Sequence, residues 1–389
     1  MKIVHIVAMP GNSGECLNHT AFQDSFRKLV DADVQFDEVN LRDFYKNNRV
    51  RSFDANFSKI INHYDAFVLG GGLMLDVRWT YSATGTTLNF THEFIDSINV
   101  PVILNGIGYA EPPVFADPIE QRQIFDKFKD FIEYISEKQN WLLTLRNDGS
   151  YERILMRFGE ELANRFLVVP DNGFYFDESK VIPYQFEEQK RTIGICLAND
   201  SFTPVDGYET RREEINRSIS KFIEQLIDEN CRILLLPHMP KDLEAIYRLY
   251  QLLGEKAFRY HIAIAPYNNL DKLSISSLVS YYKACHCIIA TRFHSSIIPI
   301  ICKIPVVALA AESLICPERI IALYQELGLS DFCIKIPVGT DNVEKLLYQQ
   351  YKLTMANRDQ FYCTANNVMN EMNKKRKLYF SKIKAFLSL

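Results

Sequence analysis

Short apolar runs, each followed by a turn rich in Gly, Asn or Asp and then by an amphipathic stretch, recur from end to end of this chain. No other feature constrains the fold as tightly. A strand covered on both faces reads as an almost unbroken apolar run, and amphipathic segments between such runs are crossover helices. The first series of strands is expected at 3–8, 34–39, 66–69, 100–104, 141–145 and 166–169. Their turns are Pro10-Gly11-Asn12-Ser13-Gly14, Gly70-Gly71-Gly72, Gly106-Ile107-Gly108, Asn147-Asp148-Gly149 and Asp171-Asn172-Gly173. A second series is expected at 192–197, 232–236, 261–265, 287–290 and 306–309, with helices over 209–228, 241–253, 274–284, 317–327 and 343–351. The polar stretch 177–189, which contains Pro183, reads as the connection between the two series. The expected fold is therefore α/β, with two doubly wound domains facing across a cleft. Residues 1–180 form the first, 190–355 the second, and 356–389 a helical segment that can pack back on the first domain.

A chain of 389 residues is long for one domain and comfortable for two. Its formal charge of −4 argues against a general nucleic-acid binder, whose domain would be basic. The nine cysteines are odd in number, scattered and mostly set in apolar runs, and no CxxC spacing occurs. That pattern suits buried thiols in a reducing cytosol and gives no structural zinc signature. The start, Met1-Lys2-Ile3-Val4-His5-Ile6, reads as a strand rather than a secretory signal. The apolar stretch 297–311 is interrupted by Lys303 and two prolines and is too short to span a bilayer. A soluble cytoplasmic protein is expected. Beyond Glu371 the chain carries Lys374, Lys375, Arg376, Lys377, Lys382 and Lys384 among apolar residues, which leaves open a peripheral contact with the inner face of a membrane.

The densest chemistry lies in Cys287-Ile-Ile-Ala-Thr-Arg-Phe-His-Ser-Ser. A buried parallel strand delivers its last residues to the carboxyl edge of the sheet, where ligands bind. There Arg292 offers a forked, permanently charged grip for phosphate or carboxylate. His294 offers a proton near neutral pH. Ser295, near the start of the following helix, can cap it and help present backbone N–H groups to an anion. Arg146, Asp171 and His238 end other predicted strands. Asp171 serves a turn cap equally well. In the glycine turns, Asn12, Gly14, Gly71 and Gly72 allow close approach of a ligand, although none matches a dinucleotide or Walker fingerprint. The segment 77–90 mixes hydroxyls, an amide and aromatic rings, which suits either a sugar platform or a surface loop of mixed polarity.

Taken in order, these motifs resemble the polysaccharide pyruvyl transferase family. The resemblance is carried by Gly11-Asn-x-Gly14, Asp65-Ala-Phe-Val-Leu-Gly-Gly-Gly72 and Pro101-Val-Ile-Leu-Asn-Gly-Ile-Gly108. Arg146-x-x-x-Ser150, Val169-Pro-Asp171 with Phe174, and Leu236-Pro-His238 with Asp242 continue it. Arg292-x-His294-Ser295 with Ile304-Pro305 completes it. The resemblance implies two Rossmann-like domains of the GT-B type. It also implies transfer of the pyruvyl group of phosphoenolpyruvate onto two sugar hydroxyls, giving a cyclic ketal and phosphate. On that basis Arg292 and His294 match residues of donor binding and proton transfer. Arg146, His238, Ser295, Asn12, Gly14, Gly71, Gly72 and Asp171 form the surrounding binding set. The implied partners are phosphoenolpyruvate, as donor substrate rather than cofactor, and a saccharide acceptor, lipid-linked or free. No cofactor is implied, and a need for a divalent metal is left open. Three positions depart from the family pattern: Asn147, Asn172 and the stretch after Pro305, which here runs to Glu312-Ser313. Two rival readings stay open: a GT-B glycosyltransferase using a nucleotide sugar, and a catalytically silent sugar-binding relative.

Overall fold

The two strand series form two separate parallel sheets. The structure, a computed structural model, describes residues 1–9, 11–48, 50–112, 117–188, 190–198, 208–267, 274–312 and 316–388. Its strands are β1 (Lys2–Val7), β2 (Gln35–Asn40), β3 (Ala66–Leu69), β4 (Leu75–Asp76), β5 (Val102–Ile107), β6 (Tyr109–Ala110) and β7 (Trp141–Arg146). There follow β8 (Leu167–Val169), β9 (Thr192–Cys196), β10 (Arg232–Leu235), β11 (Ile262–Ile264), β12 (Cys287–Ala290), β13 (Val306–Ala311) and β14 (Cys333–Ile336). One compact unit comprises Met1–Met9, Glu15–Tyr175 and Met372–Leu389; the other comprises Pro10–Gly14 and Phe176–Glu371.

In the first unit the sheet order is β2-β1-β3-β5-β7-β8; in the second it is β11-β10-β9-β12-β13-β14. Every pairing in both is parallel. Strand order reverses between β1 and β3 in one sheet and between β9 and β12 in the other. Such switch points are where open α/β sheets hold ligands. The expected α/β class with doubly wound sheets is thus what the chain adopts. The inner strands β3, β5, β9, β12 and β13 are buried at every residue, which is why they read as unbroken apolar runs. Truncating one of these side chains, such as Ile289, would cost about 2–5 kcal/mol.

Three elements differ from expectation. β14 was not foreseen: it is an edge strand whose first three residues are only partly covered, so no apolar run announces it. β4 and β6 form a two-stranded parallel pair too short to show a period. The helix expected at 241–253 continues as Pro240–Tyr260, with a break at Gly254, whose φ of 76° is left-handed. Leu253 is therefore a true local end, after which the chain resumes helical turns.

The terminal helix runs from Arg358 to Leu387, and residues from Met372 onward belong to the first unit. Its Met372, Tyr379, Phe380 and Ile383 are buried. Phe380 lies 5.6 Å from Phe22 between ring centroids, and the Tyr379 hydroxyl donates to Asn105 Oδ1 at 2.9 Å. These four residues are spent on this packing, while Leu378, Lys374, Lys377, Lys382 and Lys384 stay exposed. No helix among the described residues is long and apolar enough to cross a membrane.

Candidate active site

Within the second unit, the turn after β12 gathers six of the residues singled out in the sequence. Arg292 is the N-cap of the helix Phe293–Cys302, with extended backbone (φ −105°, ψ 151°). Ser295 is not itself the cap. It sits one turn inside, where its Oγ accepts the Arg292 N–H at 3.0 Å and donates to the Arg292 carbonyl at 2.8 Å. This reciprocal arrangement fixes the angle at which strand passes into helix. Thr291 ties the same turn to β9: its hydroxyl donates to the Cys196 carbonyl at 2.8 Å and accepts the Ala198 N–H at 2.7 Å.

The Asp242 carboxylate holds the Arg292 guanidinium side-on. Its Nε lies 3.0 and 2.9 Å from the two oxygens of Asp242, and a terminal nitrogen donates to the same group. Asp242, almost fully buried, also accepts the backbone N–H of His238 at 2.8 Å and of Met239 at 3.2 Å. One carboxylate therefore pins the loop after β10 to the turn after β12. A charge-assisted, side-on pair of this kind orients the guanidinium as well as neutralising part of its charge.

His238 is buried, and its Nε2 lies 2.8 Å from the hydroxyl of Tyr282 on the helix Ser274–Lys283. Burial, with Arg292 and His294 adding to it, pushes His238 well below the usual histidine range, so it is neutral at pH 7. Burial also pushes the Cys196 thiol up to about 12 and the Tyr282 hydroxyl well above its usual value. Both keep their protons.

The loop Gly11–Gly14 closes over these groups. Asn12 Oδ1 accepts the Gly14 N–H at 3.0 Å, the Ser13 N–H donates to the His238 carbonyl at 2.9 Å, and the Tyr267 hydroxyl donates to the Gly11 carbonyl at 3.0 Å. Gly14 lies against the His294 ring so closely that a Cβ there would fall 2.5–2.8 Å from ring and Cβ atoms. Asn12, Gly14, His238, Arg292, His294 and Ser295 are thus one constellation.

Arg146, Asp171, Gly71 and Gly72 belong to the first unit, where they are built into a buried polar network. Arg146 is 1% exposed; its Nε donates to Asp148 at 2.7 Å and a terminal nitrogen to Asp171 at 3.4 Å. Gly108 lies against the guanidinium, where a Cβ would come within 2.7 Å. Burial opposes the charge, but Asp148, Asp171 and Glu15 outweigh it and hold Arg146 charged. Asp171 also caps its own turn, accepting the Gly173 N–H at 2.8 Å. Gly71 and Gly72 face Asn18 and Glu15, with no room for a Cβ. In segment 77–90 the hydroxyls of Ser82, Thr84 and Thr86 bond to one another and to the Leu88 carbonyl, and Thr87 to the Met74 carbonyl. These hydroxyls are buried and hold the loop from within, while Tyr81 stays exposed.

Comparison with known proteins decides the family. Residues 17–313 match the family model for polysaccharide pyruvyl transferase. The chain belongs to the polysaccharide pyruvyl transferase family. No functionally curated sequence matches it. Solved structures share its fold at low identity. The Anabaena protein Alr3699/HepE, solved with UDP and glucose, is 10% identical with a TM-score of 0.53, over 100% of this chain and 99% of that one. Staphylococcus aureus MnaA, solved with UDP, is 12% identical with a TM-score of 0.51, over 94% and 90%. The UDP-GlcNAc 2-epimerase of Methanocaldococcus jannaschii is 12% identical with a TM-score of 0.50, over 91% and 93%. The fold is GT-B.

The three departures from the pyruvyl transferase pattern now have structural readings. Asn147 Oδ1 accepts the Asp171 N–H at 2.8 Å, a bond that needs only an oxygen and so suits an amide as well as a carboxylate. Asn172 donates to Asn18 Oδ1 at 3.2 Å and Asn105 Oδ1 at 3.4 Å, inside the first unit's network. Glu312 accepts the Val338 N–H at 3.2 Å and pairs with Lys335 at 3.2 Å, which anchors β14. Ser313 lies outside the described residues. Three residues escaped the sequence reading of the site: Tyr282, Cys196 and Thr291. Tyr282 and Cys196 sit in ordinary helix and strand contexts, and only the closure of the sheet brings them to the turn; Thr291 stands in the turn itself, where its hydroxyl bonds to the Cys196 carbonyl. Among the described residues no group of three or more His, Cys, Asp and Glu side chains could hold a metal ion.

Proposed function

We propose that this pyruvyl transferase family member moves the pyruvyl group of phosphoenolpyruvate onto two hydroxyls of a saccharide, forming a ketal and releasing phosphate. The observation that supports it most is the pairing of an Asp242-oriented arginine with a histidine two residues on, at the switch-point strand β12. Phosphoenolpyruvate carries a phosphate and a carboxylate, and its site needs a fixed cation together with N–H donors. Arg292 serves as the cation. The saccharide acceptor is lipid-linked or free, and enzyme and acceptor meet on the cytoplasmic side of the membrane.

Two histidines stand at the site, and their environments separate their roles. His238 is held neutral and has no proton to give near pH 7. His294 is therefore the proton donor. It protonates the methylene carbon, which becomes the methyl group, and positive charge develops on the central carbon. A sugar hydroxyl adds there, and the carbon–oxygen bond to phosphate breaks. A second hydroxyl of the sugar then adds to the same carbon. Of the two hydroxyl protons, one restores His294 and the other leaves with phosphate or water.

The test is phosphate release from phosphoenolpyruvate in the presence of candidate acceptor saccharides. Wild type should release phosphate as the acceptor gains mass, and His294→Ala should lose on the order of 10² or more in rate. Undiminished turnover in His294→Ala would remove its role. Turnover of a nucleotide sugar in place of phosphoenolpyruvate would replace the proposal with glycosyl transfer.

A further inference from the structure

The contact between Tyr282 and His238 has consequences that the family motifs do not carry. Tyr282 lies on the helix Ser274–Lys283, outside every site motif, and is 0% exposed. Its hydroxyl lies 2.8 Å from His238 Nε2, its one hydrogen-bond partner among the described residues. This bond ties the helix to the loop after β10, which Asp242 in turn links to Arg292.

The direction of this bond follows from the chemistry of its members. The phenol has a single proton, and imidazole nitrogen is a good acceptor within reach of it. Were Nε2 the donor instead, the buried phenol O–H would be left without an acceptor. The phenol proton therefore goes to Nε2. A neutral imidazole that accepts at Nε2 must carry its proton on Nδ1. Among the described residues no hydrogen bond is formed by His238 Nδ1. The charged groups that act on the ring are Arg292 and His294, the proposed donor-binding pair.

We propose that Tyr282 is a positioning residue that holds His238 as its Nδ1–H tautomer, so that the ring gives a neutral hydrogen bond to an anionic oxygen of phosphoenolpyruvate. The proposal rests on the pyruvyl-transfer reading for its ligand, but not for its tautomer. A neutral donor is useful beside Arg292: it binds an oxygen of the anion without adding a second full charge that phosphate would have to leave behind. The two contacts also differ in what they fix, since Asp242 holds the backbone of His238 while Tyr282 holds its ring.

The experiment has two arms on the full chain. In the first, nitrogen NMR of histidine-labelled protein, with His238 assigned by loss of its signals in His238→Gln, reads the tautomer directly. Wild type should show a protonated Nδ1 and an accepting Nε2; Tyr282→Phe should lose that preference. In the second arm, phosphoenolpyruvate affinity is measured for both proteins, and Tyr282→Phe should bind about tenfold more weakly, as expected for one displaced hydrogen bond. A protonated Nε2 in wild type would overturn the proposal, as would unchanged affinity in Tyr282→Phe once the tautomer had changed. Failure of wild type to bind phosphoenolpyruvate, with the Nδ1–H tautomer present, would instead count against the donor reading. If Tyr282→Phe does not fold, the wild-type spectrum still decides the tautomer.

Discussion

Two strand-end arginines, Arg146 after β7 and Arg292 after β12, look alike in sequence and differ in what surrounds them. Arg146 is 1% exposed and meets two carboxylates, Asp148 and Asp171, that come from its own loop and from the end of the neighbouring strand β8. Arg292 is 11% exposed in its side chain and meets Asp242, a carboxylate that comes from another strand-helix junction and also holds the His238 loop. The first is a buried network that sets one arginine between two carboxylates. The second is an oriented cation with two histidines beside it. An arginine at a strand end is thus not yet a ligand site: what decides is whether its counter-ions come with it or leave it standing among titratable groups.

The largest expected effect separates the two directly. Removing Arg146 strands two buried carboxylates, and Arg146→Met should destabilise the protein by about 3–5 kcal/mol in urea unfolding. Arg292→Ala should cost less, about 1–2 kcal/mol, because Asp242 keeps its two backbone donors. Equal losses would break the comparison. Next comes His294→Ala, with a drop in phosphate release on the order of 10² or more and an unchanged unfolding midpoint.

The glycines sharpen the contrast on a smaller scale. At Gly71, φ is 118° and a Cβ would fall 1.8 Å from Asn18 Oδ1, so Gly71→Ala should lose about 1–3 kcal/mol of stability. At Gly14 the obstacle is the His294 ring, and Gly14→Ala should displace that ring and slow transfer about tenfold or more with little loss of stability. A Gly14→Ala protein of full activity would show that the ring's position is not critical.

The smallest effect is a pH slope. His238 is held neutral when folded but takes a proton near its usual value of 6.5 when unfolded. Below that pH the unfolded chain binds more protons than the folded one, so stability falls as pH drops through 6.5 towards the lower folded value. His238→Gln should flatten this part of the stability profile. Arg146 itself offers no such slope near neutrality, because its neighbours raise rather than lower it.

Much of this was legible in the sequence. Inner strands such as β5 and β12 are apolar at both faces, and that alone announces a parallel sheet. The Arg292-x-His294-Ser295 turn was legible too, since strand, cation, imidazole and hydroxyl stand within a few residues. Tyr282 was not legible, because one tyrosine on an amphipathic helix reads as core packing until the neighbouring sheet edge is in place. The separation of Arg146 from Arg292 was hidden for a related reason: Asp148 and Asp171 read as turn residues, and only burial makes them counter-ions. β14 went unseen because an edge strand with Lys335 in it has no apolar period to detect.

The central claim is that the turn after β12 takes phosphoenolpyruvate, and thermal unfolding with and without it tests that claim most directly. Wild-type protein with phosphoenolpyruvate at about 100 times its Kd should gain about 2.7 kcal/mol, or roughly 5–10 °C for a unit of this size, and Arg292→Ala should gain nothing. UDP and GDP sugars should not reproduce the shift. Stabilisation by a nucleotide sugar alone, or an undiminished shift with phosphoenolpyruvate in Arg292→Ala, would contradict the account.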